Sequence, residues 1–263
     1  ALALVTRMTP EPFADFTERF AAAAAGDFDL IFFSQVFFNS GFVVAPLEKI
    51  ARAAPKNPYV VIDGYHGFMA TPTNLSKISD RVFYMAGGYK YAMAGEGVCF
   101  MHCPPGYGLQ PRNTGWFAEM DNLASQKTGG VDYASGGARF FGATLDPAGL
   151  YRLRAVFAWI KQHGLTVEAL HEHAHTLQEY FMKGAPSSLG PLVVPVTDNR
   201  RGNFLTFRNA RAGEISKALQ ERDVVADSRG DRLRFGFGAY HDLNDVDKLL
   251  AALEAYAQSK SAA

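Results

Sequence analysis

The sequence predicts an α/β fold, a mostly parallel sheet followed by a smaller C-terminal α+β layer, and three observations lead there. Apolar runs of strand length and without simple alternation recur between helical segments, the pattern of a sheet flanked by helices. Two polar residues, Asp63 and Lys90, stand just past two of those runs, where ligands gather in such sheets. Beyond a long glycine-rich stretch the pattern changes to two long helices, then strands and helices in turn. With 263 residues, 48% of them hydrophobic, the chain is long enough to bury a substantial core.

From Pro10 to Ala25, Phe13, Phe16 and Phe20 recur at helical spacing and an alanine run favours the helix, which Gly26 ends. Asp29 to Phe38 reads as a strand covered on both faces. Pro46 opens a short helix through Ala54. Strands are expected at Tyr59 to Ile62, Arg81 to Ala86 and Gly97 to His102. Tyr107 to Gly149 is irregular and rich in glycine, the mark of a functional connection. Helices follow at Leu150 to His163 and at Thr166 to Lys183, the second with Thr166 as its N-cap. Strands near Leu192 to Val196, Phe204 to Arg208 and Arg232 to Phe237, with helices at Gly213 to Glu221 and Asn244 to Tyr256, complete the chain. The expected division falls near residue 149, with 1–149 as a larger ligand-binding unit and 150–263 as a smaller one.

The 26 basic and 26 acidic residues balance, and the pI is near 7.2. No long-range field attracts a polyanion, so nucleic acid and anionic membrane surfaces are poor partners and a small molecule is favoured. The two cysteines, Cys99 and Cys103, share an apolar run; at strand rise they stand about 13 Å apart, too far for a disulfide. A reducing, cytoplasmic setting is expected. The most apolar stretch, Leu30 to Leu47, is interrupted by Ser34, Gln35, Asn39, Ser40 and Gly41, which excludes a membrane span there.

Five segments carry chemistry: VVIDGYHG (60–67), GGYKYAMAGEG (87–97), GWF (115–117), RFFGAT (139–144) and LRFGFG (233–238). A carboxylate with a histidine three residues on ends one strand; a lysine in a glycine-rich turn ends the next. One use of such a pair is pyridoxal phosphate chemistry. There a lysine must lose its proton to form an imine, and a carboxylate must keep the pyridine nitrogen protonated. Glycine-rich backbone and hydroxyls suit the phosphate, and an arginine fork suits a substrate carboxylate.

With these motifs the chain resembles the aminotransferase class V branch of the fold type I pyridoxal phosphate enzymes, and within it the kynureninases. The likeness runs from about Phe32 to the C-terminal helix. It implies that Lys90 carries pyridoxal 5′-phosphate, that Asp63 faces the pyridine nitrogen and that His66 lies near the ring hydroxyl. Tyr89 becomes a phosphate contact and proton donor, and Arg234 the clamp on the substrate carboxylate. Trp116 and Thr144 become phosphate contacts given across a subunit interface, which implies a homodimer with shared sites. The implied reaction is hydrolytic cleavage of the Cβ–Cγ bond of kynurenine or a related amino acid, giving an aromatic acid and alanine. Transamination or elimination by another class V enzyme is the alternative, and an inactive fragment a third reading. Ala143 stands where the family has glycine before its threonine, and no asparagine lies between Gly136 and Pro147. An upstream phosphate loop and ring-stacking aromatic residue of that family have no counterpart in these residues, so the resemblance implies an N-terminally shortened piece.

HEHAH (171–175) formally matches H-E-x-x-H, with His171 and His175 on one helix face. Zinc needs a third protein ligand, and no downstream candidate stands out, so the three histidines read as a partly exposed helix face.

Overall fold

Phenylalanine packing organises the first half of the chain. The computed structural model describes residues 3–122, 124, 129–195 and 197–261. A 3-10 turn at Phe13–Asp15 leads into helix α1, Phe16–Ala24. The helix starts later than the Pro10 predicted from spacing, because Pro12 is extended, with φ −70° and ψ 140°. Phe16 and Phe20 meet Phe37 and Phe33 at centroid distances of 5.0 and 5.4 Å, and each buried ring contributes about 1.5–3 kcal/mol.

Strand β1 (Leu30–Ser34), helix α2 (Leu47–Ala53), and strands β2 (Tyr59–Asp63), β3 (Val82–Gly87) and β4 (Cys99–His102) follow. They form one sheet in the order β1-β2-β3-β4, the first three parallel and β4 antiparallel to β3. The predicted first strand, Asp29 to Phe38, is therefore shortened at both ends. Past Ser34 the chain turns back on itself at Phe37–Gly41, leaving only a bridge between Val36 and Val43. Gly41 takes φ +78°, and a Cβ there would stand 2.9 Å from the Phe204 carbonyl oxygen, so glycine is required. β1 also alternates instead of being covered on both faces: Ile31 and Phe33 are buried, while Leu30 and Phe32 are 54% and 51% exposed.

Short 3-10 segments at Trp116–Asn122 and Gly137–Phe140 interrupt the glycine-rich connection. Helices α3 (Ala148–Gln162) and α4 (Val167–Gly184) come next. The Thr166 hydroxyl caps α4 by accepting from the Ala169 amide at 3.1 Å. Strand β5 (Phe204–Arg208), helix α5 (Ala212–Gln220), strands β6 (Asp227–Arg229) and β7 (Arg232–Gly236), and helix α6 (Leu243–Ser261) end the chain. β5, β7 and β6 make an antiparallel sheet in that order, packed around Phe181, Phe207, Phe235 and Phe237.

The strand predicted near Leu192 to Val196 does not form in the described residues. Pro191 and Pro195 bracket it and offer no amide, so among the described residues pairing comes down to a Leu192–Phe207 bridge, a Val193 amide bond to the Thr206 carbonyl and an Arg208 amide bond to the Pro191 carbonyl; Val196 lies outside the described residues.

Candidate active site

Parallel register brings the ends of β1, β2 and β3 level, with Ser34 opposite Asp63 and Asp63 opposite Met85. Asp63 is the last residue of β2. Its carboxylate accepts from the Ser34 hydroxyl at 2.8 Å and from the Tyr65 amide at 3.0 Å, which fixes its orientation. Gly64 then lets the chain turn against Tyr84: a Cβ at that position would fall 2.0 Å from the tyrosine ring. The turn delivers His66, whose Nε2 is 3.2 Å from the Lys90 amine.

Lys90 reaches this point from the turn after β3. The Gly88 amide donates to the Val98 carbonyl and the Gly88 carbonyl accepts from Ala94, both at 2.8 Å, while the Lys90 carbonyl accepts from Met93. The Tyr89 ring lies 5.4 Å from the Lys90 nitrogen and 5.7 Å from the Tyr65 ring. A cavity of about 720 Å³ opens beside these groups, lined among others by His66, Tyr89, Lys90, Phe204, Asp227 and Arg234.

Burial first, and the Arg234 charge second, hold Lys90 below the ordinary lysine range, with Asp63 pulling the other way. Burial, then Lys90 and Arg234, bring His66 down to about 4. At neutral pH His66 is therefore uncharged. As the ammonium, Lys90 donates to its Nε2, which places the imidazole proton on Nδ1. That nitrogen is buried and has no protein partner. A lysine biased toward its neutral form, a fixed carboxylate and an orphaned imidazole donor side by side are a donor set that suits a polar aromatic aldehyde.

Arg234, on β7, sits on the cavity wall between the rings of Phe38 and Phe204, at 5.7 and 5.6 Å from their centroids. It bonds the Phe38 carbonyl and pairs with Asp227 across the β6–β7 register. Asp227 and strand β6 are absent from the sequence-based reading; the Gly230-Asp231 pair, a hairpin signal, could have revealed both. Of the predicted site residues, His66, Tyr89, Lys90 and Arg234 line the cavity; Asp63 does not line it, but stands close enough for its charge to act on both His66 and Lys90. Trp116 and Thr144 do not line this cavity. Their segments instead meet each other, the Phe117 amide donating to the Gly142 carbonyl at 3.3 Å, and both side chains are exposed.

The α4 histidines are half-buried, in keeping with the partly exposed helix face expected from the sequence, and each is hydrogen-bonded. His171 Nδ1 bonds the Ala70 carbonyl and the Asn203 side chain at 2.9 and 3.0 Å, His173 the His241 carbonyl and His175 the Arg201 carbonyl. No group of three or more metal-ligating side chains is assembled among the described residues, and no helix among them is long and apolar enough to cross a membrane.

Residues 170–253 match the kynureninase C-terminal domain. The chain is 27% identical to isopenicillin N epimerase of Streptomyces clavuligerus, over 94% of this chain and 65% of that protein. It is 22% identical to a probable cysteine desulfurase of Vibrio cholerae serotype O1, over 79% and 54% respectively. An apo cysteine desulfurase from Thermococcus onnurineus superposes with a TM-score of 0.78 at 16% identity, covering 92% of this chain and 63% of that one. A cystine C-S lyase solved with cysteine persulfide superposes with a TM-score of 0.69 at 21% identity, covering 85% and 60%. The chain thus spans less than two thirds of the length of these relatives. The fold is that of the fold type I enzymes, and the sequence matches support membership of the aminotransferase class V family.

Proposed function

We propose that this chain is the part of a class V pyridoxal phosphate enzyme that carries the cofactor-holding lysine and the clamp for the substrate carboxylate, that it acts on an amino acid, and that its reaction is kynureninase-type hydrolysis. The observation that carries the reading is the meeting of Lys90, His66 and the fixed Asp63 at adjacent strand ends, with Arg234 on the same cavity wall. Lys90 would hold the cofactor aldehyde, Asp63 its pyridine nitrogen and His66 its ring hydroxyl. When bound, the cofactor supplies an electron sink for the carbanion formed beside the substrate amine. The Lys90 amine, depressed by burial and Arg234, takes the α-proton. Tyr89 relays a proton, and Arg234 orients the substrate by its carboxylate. Kynurenine and water would give anthranilate and alanine.

Trp116 and Thr144, exposed and apart from the cavity, belong in this reading to the phosphate site of a second copy, the larger unit being 1–149 and the smaller 150–263. The match over 170–253 favours the kynureninase branch; the likeness to an epimerase keeps other class V reactions as the second reading. Titration with pyridoxal phosphate should produce a visible absorbance band that borohydride bleaches and Lys90→Ala lacks. No band would overturn the cofactor assignment. A band without anthranilate fluorescence on adding kynurenine would overturn the hydrolase and leave a keto-acid acceptor assay to test transamination.

A further inference from the structure

We infer that Asp227 is a placeholder counter-ion for Arg234, occupying the guanidinium while the site is empty and giving way to an incoming carboxylate. The inference rests on the proposed role of Arg234 as the carboxylate clamp.

The two partners are unequal. Arg234 has a side chain only 14% exposed, whereas Asp227 is 44% exposed. A guanidinium this deep needs an anion beside it, since an unpaired buried charge is strongly destabilising. Asp227 supplies that anion from the edge of the small sheet, directly opposite Arg234 in the register. It does not depend on Arg234 in return. The Arg229 Nε lies 3.6 Å from its other oxygen and belongs to a well exposed side chain, so on release Asp227 keeps a partner and meets water. Arg234 also holds one donor in reserve: its Nε is buried and bonded to no protein group. Both residues line the cavity that Lys90 and His66 share, so a carboxylate entering that cavity meets an arginine already neutralised by the protein. Exchange of one carboxylate for another follows from this arrangement. It keeps the clamp folded without ligand, and it discounts affinity for every ligand by the strength of the internal pair. A ligand without an anionic group cannot displace Asp227, which makes the pair a filter for acids.

The discriminating probe is propionate, a carboxylate with no amine, with propionamide as control. Binding is measured by calorimetry on the chain with and without pyridoxal phosphate, and thermal unfolding is followed in parallel. Asp227→Asn should unfold at lower temperature than the parent without ligand, bind propionate about tenfold more tightly, and gain more thermal protection from it. Asp227→Ser should move binding in the same direction if the asparagine variant folds poorly. Unchanged or weaker propionate binding in both variants would overturn the placeholder role and make Asp227 a fixed support for the arginine. Arg234→Gln separates the two levels of the reading. If it binds propionate as the parent does, the clamp itself is wrong; if it loses binding while the Asp227 variants stay at the parental affinity, the clamp stands and the exchange fails.

Discussion

At the scale of single residues, the site is governed by burial acting on cationic groups. His66 and His175 are both brought to about 4, in each case by burial first; Lys90 and Arg234 add to it for His66, and the neighbouring His171 and Arg201 for His175. The sign for stability follows directly. A histidine whose folded pKa lies below its unfolded value near 6.5 takes up a proton more readily when unfolded, so acid favours unfolding. Stability should fall as pH drops from about 6.5 to about 4, before carboxylate protonation adds to it. The thermal midpoint measured across that range should decline, and His175→Gln should flatten the decline while the glutamine amide retains a donor for the Arg201 carbonyl. A midpoint flat between those pH values in the parent chain would contradict the burial of both rings. The same burial acts on Lys90, where it has a chemical use: the neutral amine becomes available closer to physiological pH.

At the scale of elements, caps and prolines decide the boundaries. The Thr166 hydroxyl satisfies the Ala169 amide at the start of α4, the helix that carries His171, His173 and His175. Thr166→Ala should cost about 1 kcal/mol, read as a lower urea midpoint with an unchanged slope; no shift would mean that the cap is redundant. This cap was legible in the sequence because threonine before an apolar helical repeat is a local signal. So were β5 and the strand-end positions of Asp63 and Lys90. What stayed hidden is non-local. The Phe37–Gly41 turn that cuts β1 short depends on Gly41 passing close to Phe204, over 160 residues away. The failed strand near Leu192 reflects prolines whose effect depends on the partner strand. The Asp227–Arg234 pair is different: it is local, set across the hairpin at Gly230-Asp231, and that turn signal was there in the sequence to be read.

At the scale of the whole molecule, two cores, one around Phe16, Phe42 and Ile62 and the other around Phe181, Leu205 and Leu233, must be held in register for the cavity between Lys90 and Arg234 to exist. The segment 201–204 does this. It bridges Phe42 through Arg201 and donates from the Gly202 amide to the Gly41 carbonyl at 2.7 Å. On its other side Gln178 of α4 donates to the Gly202 carbonyl at 2.9 Å and accepts from Arg201 Nε at 2.8 Å, and Glu179 pairs with the same guanidinium at 3.0 Å. Gln178 is fully buried, so its two bonds have no water to replace them. Gln178→Leu keeps nearly the same volume but strands a buried carbonyl and one edge of a buried cation, each loss costing about 1–3 kcal/mol. The variant should lose about 2–4 kcal/mol of stability by urea unfolding. It should also weaken propionate binding, although Gln178 does not line the cavity, because Arg234 and Lys90 are carried by the two cores that this segment ties together. A loss of stability with unchanged propionate affinity would show that the cavity is held by other contacts, and that Gln178 serves only the packing of α4.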